Sequence, residues 1–387
     1  MRAPIKRIAT GIDVGTHATR VVVMEHARGE SPRIIGTGVS ESRGLRHGYI
    51  VNKIEAMKSI GAAISHAEKM AGFKIKNAFL SVGGISLEST LGHGTATISR
   101  ASGEVSEIDI RNAETSAEKA LSHTANKRVI HRTPLRFKLD GKEVLGDPRG
   151  MTGSKLDIKM LFVTCLEQHL NDVIRTIEEL GVEVDEVVPS PIAAGQIALT
   201  KKQSSAGCAL VNIGAETVSI AVFENEIPIS LQVFPIGSTD ITNDIALGLK
   251  IPLEEAEKIK VSGSGGTYSK KKLEDIIEAR LCDIFELIEA HLKKIGRNGL
   301  LPAGVVLTGG GAGIATIEDL AKAALKLPSS LAHPSIAASG KYPVKDSSWL
   351  VAYGLALYAL QKPEDPSTSS FIDVVETLKS WVKPFLP

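Results

Sequence analysis

Gly11-Ile12-Asp13-Val14-Gly15-Thr16-His17-Ala18-Thr19 and Leu210-Val211-Asn212-Ile213-Gly214-Ala215-Glu216-Thr217 share one plan, roughly 200 residues apart. Each is an apolar strand, a polar residue near its end, then a glycine turn that closes on threonine. Such a turn presents backbone N–H groups where phosphate oxygens can lie, and an Asp at the strand end can hold water on a Mg²⁺ ion. Either stretch alone is a weak signal and reads first as a plain hairpin turn, since glycine turns between strands are everywhere. Two of them, each opening a similar unit, make a stronger pattern. A third stretch, Val305-Val306-Leu307-Thr308-Gly309-Gly310-Gly311-Ala312, places glycines at a strand-to-helix junction, where a backbone without Cβ atoms can approach a nucleotide closely.

Working outward, residues 8–13 and 19–26 predict a strand pair around Gly15-Thr16-His17. Residues 54–71 carry apolar residues at helical spacing, with Gly72 as C-cap, and 76–82 reads as another strand. Residues 84–160 are richer in Ser, Thr, His and charge, and read as an inserted α+β subdomain with a helix over 107–122 and a strand over 129–139. The chain then resumes a strand at 161–164 and an amphipathic helix at 169–180, closed by Gly181. The second half repeats the opening, with strands 209–213 and 218–224, helices 238–249, 253–261 and 272–295, strand 304–308 and a helix from about 317. The reading is internal duplication of a β-hairpin–strand–helix unit.

With 387 residues, more than one core is expected. Forty-three per cent hydrophobic and 23% charged residues exclude wholesale disorder. Forty-five Lys+Arg against 44 Asp+Glu leave a net charge of +1, so no nucleic-acid partner is expected. Three cysteines are too few for a disulfide framework, and a reducing cytosol is expected. No stretch has the length of a membrane span, and the start lacks a signal peptide's long apolar stretch, so a mature N-terminus is expected. The histidines show no HxxxH partnering and suggest no metal centre of their own. SGSGGTYSKKK, 262–272, lacks phosphate-loop spacing and reads as a loop with solvated lysines.

Residues 361–370 have linker composition. Beyond them Phe371, Val374, Val375, Leu378, Trp381, Val382 and Phe385 fall, with Leu386, within an arc of about 140° on a helical wheel. The spacing predicts an amphipathic helix over 371–387, which either lies in a bilayer interface or docks on protein. Its aromatic residues favour the interface. Asp373 and Glu376 offset Lys379 and Lys383, so apolar burial would drive insertion.

The paired turns and LTGGGA resemble the actin/DnaK-type/sugar-kinase ATPase superfamily. GTGVSESRGLRHGYIVNKIEAM (36–57), DPRGMTGSKL (147–156), DEVVPSPIAAGQIAL (185–199), the 241–266 stretch, IIEARLCDIFELIEAHLKK (276–294) and LPAGVVLTGGGAGI (301–314) resemble the bacterial cell-division FtsA family over nearly the whole chain. The resemblance implies an α/β, actin-like (ribonuclease H-like) two-lobed fold with an inserted subdomain and a C-terminal amphipathic helix. Lobe 1 would be 1–83 with 161–190, the insertion 84–160, lobe 2 191–229 with 304–360, and its small helical part 230–303. It also implies that ATP or ADP is held by Asp13, Gly15, Thr16 and His17, by Asn212, Gly214, Ala215 and Thr217, by Glu257 and Lys260, and by Gly309, Gly310 and Gly311. Mg²⁺ would sit at Asp13. Glu257 and Lys260 would also be read as a surface ion pair one turn apart.

Two departures from the pattern bear on hydrolysis. Asn212 replaces the usual second Asp, and Ser190-Pro191 replaces Glu-Pro, so ATP binding with slow or negligible hydrolysis is expected. Gln196 is a substitute water-positioning residue on this reading. The implied partners are the FtsZ C-terminal tail, further copies in a protofilament, other division proteins and the membrane surface, at the cytoplasmic face of the division site. The alternatives are a PilM-like pilus-assembly actin homologue and a sugar-kinase-type phosphotransferase.

Overall fold

Strand Lys6–Val14 pairs antiparallel with Ala18–Ala27, setting Val14 opposite Thr19 and Asp13 opposite Arg20. Arg33–Glu41 continues the antiparallel run, while Asn77–Val82 and Glu183–Pro189 add in parallel on the other side. The helix Lys53–Ala71 buries Ala56, Ile60, Ala63 and Ile64 against Ile12, Val21, Val23 and Leu80. Its ends follow the sequence: the Asn52 side chain caps the Glu55 amide, and Gly72 closes it in the left-handed region at φ 82°.

The computed structural model describes residues 6–27, 29–122, 125–263, 268–333 and 346–362. They divide into two units, one of residues 6–88 and 168–359, the other of 89–167 with 360–362. In the first unit the sheet just described has a twin. Strand Cys208–Ile213 pairs antiparallel with Val218–Glu224, which pairs with Ile227–Phe234, and Val305–Thr308 and Ser329–Leu331 add in parallel. Both halves therefore run three antiparallel strands, a helical section, strand, helix, strand, helix, the helical section being one helix in the first half and three in the second. The duplication read from two turns extends to the whole topology.

The final helix of each half lies against the other half's sheet. Leu350–Gln361 covers the first strand at Gly11, where any Cβ would strike the Ala352 carbonyl. Ser190–Ala198 sits against Phe223. In the second half the helices Ser238–Leu249, Leu253–Ser262 and Lys270–Lys294 close a core around Ile245, Phe285 and Ile288.

The second unit has strands Glu88–Thr97, Lys155–Leu166, Lys127–Leu139 and Lys142–Val144 in that lateral order, with helix Glu107–Lys119 and a core of Ile110, Ala113, Leu156, Met160 and Phe162. Its helix starts on a capping box. Ser106 caps Asp109, and the Asp109 carboxylate accepts from the Ser106 amide at 2.8 Å and from Ser99.

Three differences from the sequence reading have physical causes. Strand Arg33–Glu41 is absent from that reading because its inward positions Gly36 and Gly38 carry no apolar side chain; a Cβ on either would collide with the backbone of the 53–71 helix. Helix Leu350–Gln361 shows no apolar period because it is buried nearly all round. It also takes Gln361 out of the expected linker 361–370. The rest of that linker from 363, and the tail helix 371–387, lie outside the described residues.

Candidate functional site

The two opening hairpins close with turns of one geometry. Residues 15–18 connect paired Val14 and Thr19, and 214–217 connect paired Ile213 and Val218. In each, a Cβ on the leading glycine would stand 2.9 Å from the carbonyl of the fourth residue, Ala18 or Thr217. Both first positions are thus confined to glycine, and the Gly214 amide donates to the Thr217 carbonyl at 2.9 Å. The turns face one cleft of about 910 Å³, lined by every residue to which the resemblance assigns the nucleotide. That volume suits a ligand of nucleotide size.

The second turn is braced from behind. The Ser238 and Thr239 amides, at the start of helix Ser238–Leu249, donate to the Gly214 and Ala215 carbonyls at 2.9 and 2.8 Å. Lys260 reaches back to the same place, donating to the Ser238 carbonyl at 3.0 Å, to the Thr242 hydroxyl at 2.8 Å and to Glu257 at 2.7 Å. The Thr242 hydroxyl in turn donates to Glu257 at 2.5 Å. Glu257 and Lys260 form the expected ion pair one turn apart, but it is only half at the surface: the Lys260 side chain keeps 8% exposure and Glu257 46%. Burial disfavours the Glu257 carboxylate, but hydrogen bonds from Lys260 and Thr242, with positive charge on Lys260 and His17, hold its pKa below the usual value.

Asp13 accepts from the Ser81 hydroxyl at 2.6 Å. Burial pushes its carboxyl up, while the Ser81 bond and the Arg20 charge pull it down. Among the described residues no cluster of three His, Cys, Asp or Glu side chains could hold a metal. A Mg²⁺ ion here would rest on one carboxylate, water and phosphate oxygens, a combination suited to its reluctance to dehydrate. Gly309 adopts φ 89°, and a Cβ on it would collide with Asn212 and Ile213. A Cβ on Gly310 or Gly313 would meet nothing within 4 Å among the described residues, so that side of each is open space.

Several cleft residues were not apparent in sequence. Arg20, Gly48, Gly84, Thr242 and Ser347 all line it. Arg20 could have been found from register, since a four-residue turn puts it opposite Asp13. His47 spans the halves: its backbone amide donates to the Glu216 carboxylate at 2.5 Å, and its ring Nδ1 lies 3.1 Å from the Glu216 carbonyl. Next to it, the Gly48 carbonyl lies 2.5 Å from Nε2 of the buried His169. Ser190 lines the cleft, whereas Gln196, six residues on in the same helix, is not among the lining residues. The cleft's carboxylates are Asp13, Glu254, Glu257 and Asp346.

Residues 209–354 match the family Cell division protein FtsA, and 84–164 match the SHS2 domain inserted in FTSA. The Cell division protein FtsA of Pseudomonas aeruginosa is 30% identical over 410 residues, covering 97% of this chain and 98% of that protein. The chain belongs to the FtsA family. FtsA of Bacillus subtilis is 32% identical, over 90% of this chain and 82% of its own. Among solved structures, the PilM–PilN type IV pilus biogenesis complex aligns with TM-score 0.69 at 17% identity, covering 92% of this chain and 99% of that one. MreB5 of Spiroplasma citri bound to ADP aligns with TM-score 0.52 at 13% identity, covering 91% and 96%. The fold is the actin-like ATPase fold, and this FtsA-family chain is an actin-like cell-division protein. Among the described residues no helix is long and apolar enough to cross a membrane.

Proposed function

We propose that this FtsA-family protein binds ATP with Mg²⁺ between its two halves, polymerises, and holds FtsZ filaments to the cytoplasmic face of the membrane at the division site. The observation that carries the reading is the convergence of both glycine turns, the Gly309–Gly311 junction and the Glu257–Lys260 pair on one cleft. On this reading Asp13, Gly15, Thr16 and His17 hold one side of the phosphates, and Asn212, Gly214, Ala215 and Thr217 the other. Gly309, Gly310, Gly311, Glu257 and Lys260 border the nucleoside. Asp13 holds water on Mg²⁺, which neutralises phosphate charge.

Asn212 and Ser190 offer no base, so ATP acts mainly as a ligand that favours the closed, filament-forming state. The domain limits drawn from sequence belong to the same proposal, with the FtsZ tail received by the helical part 230–303. The 371–387 segment supplies the membrane contact through Phe371, Val374, Val375, Leu378, Trp381, Val382 and Phe385. One such helix binds reversibly, and a filament presenting many raises avidity by orders of magnitude.

Co-sedimentation with anionic liposomes in Mg·ATP tests this, comparing the full chain with one stopped after Gln361. The full chain should pellet and the shortened chain stay in solution, with both binding ATP equally in calorimetry. Pelleting of both would place the lipid contact elsewhere, and rapid phosphate release would contradict the role given to ATP.

A further inference from the structure

One short segment touches both glycine turns at the same place. The third residue of the first turn is His17, and of the second Glu216. The Ser42 amide donates to the His17 carbonyl at 2.9 Å, and five residues on the His47 amide donates to the Glu216 carboxylate. The His47 ring Nδ1 also lies 3.1 Å from the Glu216 carbonyl. Between these contacts the segment is tied down at Gly44, whose carbonyl accepts from the Val51 and Asn52 amides at 2.8 and 3.0 Å. Its far end is a two-residue turn between paired Arg46 and Tyr49, with His47 at φ 48° and Gly48 at φ 84°.

That turn is held from behind by one buried side chain. His169, near the start of helix Glu167–Glu178, is 4% exposed. A carbonyl only accepts, so His169 Nε2 carries the proton and donates to the Gly48 carbonyl. Its Nδ1 is then left to accept from the Ser86 hydroxyl at 3.2 Å. The Tyr49 ring packs against the imidazole with centroids 4.4 Å apart. Burial holds the His169 pKa below its ordinary value, against the Gly48 bond and the Asp172 charge, so the neutral ring that this pattern needs is favoured. A Cβ on Gly48 would stand 2.5 Å from the Gly84 Cα, and both glycines line the cleft.

We propose that residues 42–48 form a clasp joining the two glycine turns, and that His169 is the positioning residue that keeps the clasp engaged and so sets how long a nucleotide stays bound. The inference rests on the reading of the cleft as a nucleotide site. His169 is not among the residues that line the cleft, and it acts through the Gly48 carbonyl and the His47 amide beyond it. A ligand held between two turns leaves when they separate, and the clasp opposes that separation.

The test follows release of a fluorescent ATP analogue with Mg²⁺ by stopped flow. It uses the full chain and its His169→Leu, His169→Gln, Glu216→Ala and His169→Leu/Glu216→Ala forms. Loss of the Gly48 bond in His169→Leu should speed release about fivefold. Gln carries an N–H at the reach of Nε2, so His169→Gln should return the rate to within about twofold of wild type. The double variant should release no faster than the quicker single one, because both changes open the same clasp; independent roles would multiply to roughly 25-fold. Multiplied rates, wild-type release from His169→Leu, or release from His169→Gln as fast as from His169→Leu each overturn the clasp and leave the nucleotide reading standing. Failure of the unmutated chain to bind the analogue removes the cleft reading and the clasp with it. Should circular dichroism show His169→Leu unfolded, His169→Asn takes its place, since it keeps a polar group on the Ser86 side and falls short of Gly48. Wild-type release from His169→Asn, or multiplication of its effect with that of Glu216→Ala, is then the overturning result.

Discussion

Lys260 illustrates how one side chain can be visible in sequence while its surroundings are not. Its spacing from Glu257 signals an ion pair, but only the fold brings Ser238 and Thr242 under it and removes it from water. Lys260→Met would leave the Ser238 carbonyl and the Thr242–Glu257 pair without their shared cation, so ATP affinity should fall about tenfold, as read by calorimetry. The pH sign follows from Glu257, whose pKa is depressed. Its contribution to stability is in place above the ordinary value of 4.5 and is lost as pH falls below it through the depressed folded value; Glu257→Gln should remove that dependence in urea unfolding followed downward from about pH 5. Asp13, Gly15 and Gly214 were legible because turn chemistry is local. The contact of His47 with Glu216 was not, since it joins residues 169 apart in sequence.

Among the elements, helices with one dry face announced themselves, as with Lys53–Ala71 and its Gly72 cap. Arg33–Glu41 did not, because the close approach of helix backbone demanded glycine where a strand normally shows an apolar residue. Helix Glu107–Lys119 depends on Asp109, which has no exposed surface. Burial raises the carboxyl's pKa, but hydroxyls and amides of Ser106 and Ser99 outweigh it and bring it to about 2. A depressed carboxylate stabilises above its unfolded value of 3.8 and loses that contribution as pH falls toward 2. Asp109→Asn should cost roughly 1–3 kcal/mol in urea unfolding at pH 7. The deficit against wild type should shrink below pH 3. A constant deficit across that range would show that the carboxylate charge is not what matters.

In the whole molecule, the equivalent sheets meet through a swap of their final helices and through the His47–Glu216 contact. Removing the carboxylate with Glu216→Ala should loosen the halves by about 1 kcal/mol, a charge-assisted bond discounted for its partial exposure. Nucleotide release should quicken about fivefold in stopped flow, with little change in thermal midpoint. Slower release would contradict a bracing role. That the halves are copies was legible from two turns; that each is finished by the other's last helix was not, because no local pattern encodes a partner so distant.

That exchange also dictates when the chain can finish folding during its synthesis. Gly11 leaves the ribosome among the first residues, yet the helix that seals its strand, Leu350–Gln361, is among the last described segments to emerge. At roughly 5–20 residues per second the interval is on the order of tens of seconds. Throughout it, the sheet face around Gly11, with Val22, Met24 and Phe79 on the strands beside it, has no native cover, and the nascent protein presents an apolar patch to every neighbour it meets. A ribosome-bound chain halted before residue 350 should therefore be a strong client for chaperones that grip exposed hydrophobic strands, and release of the last helix should free it.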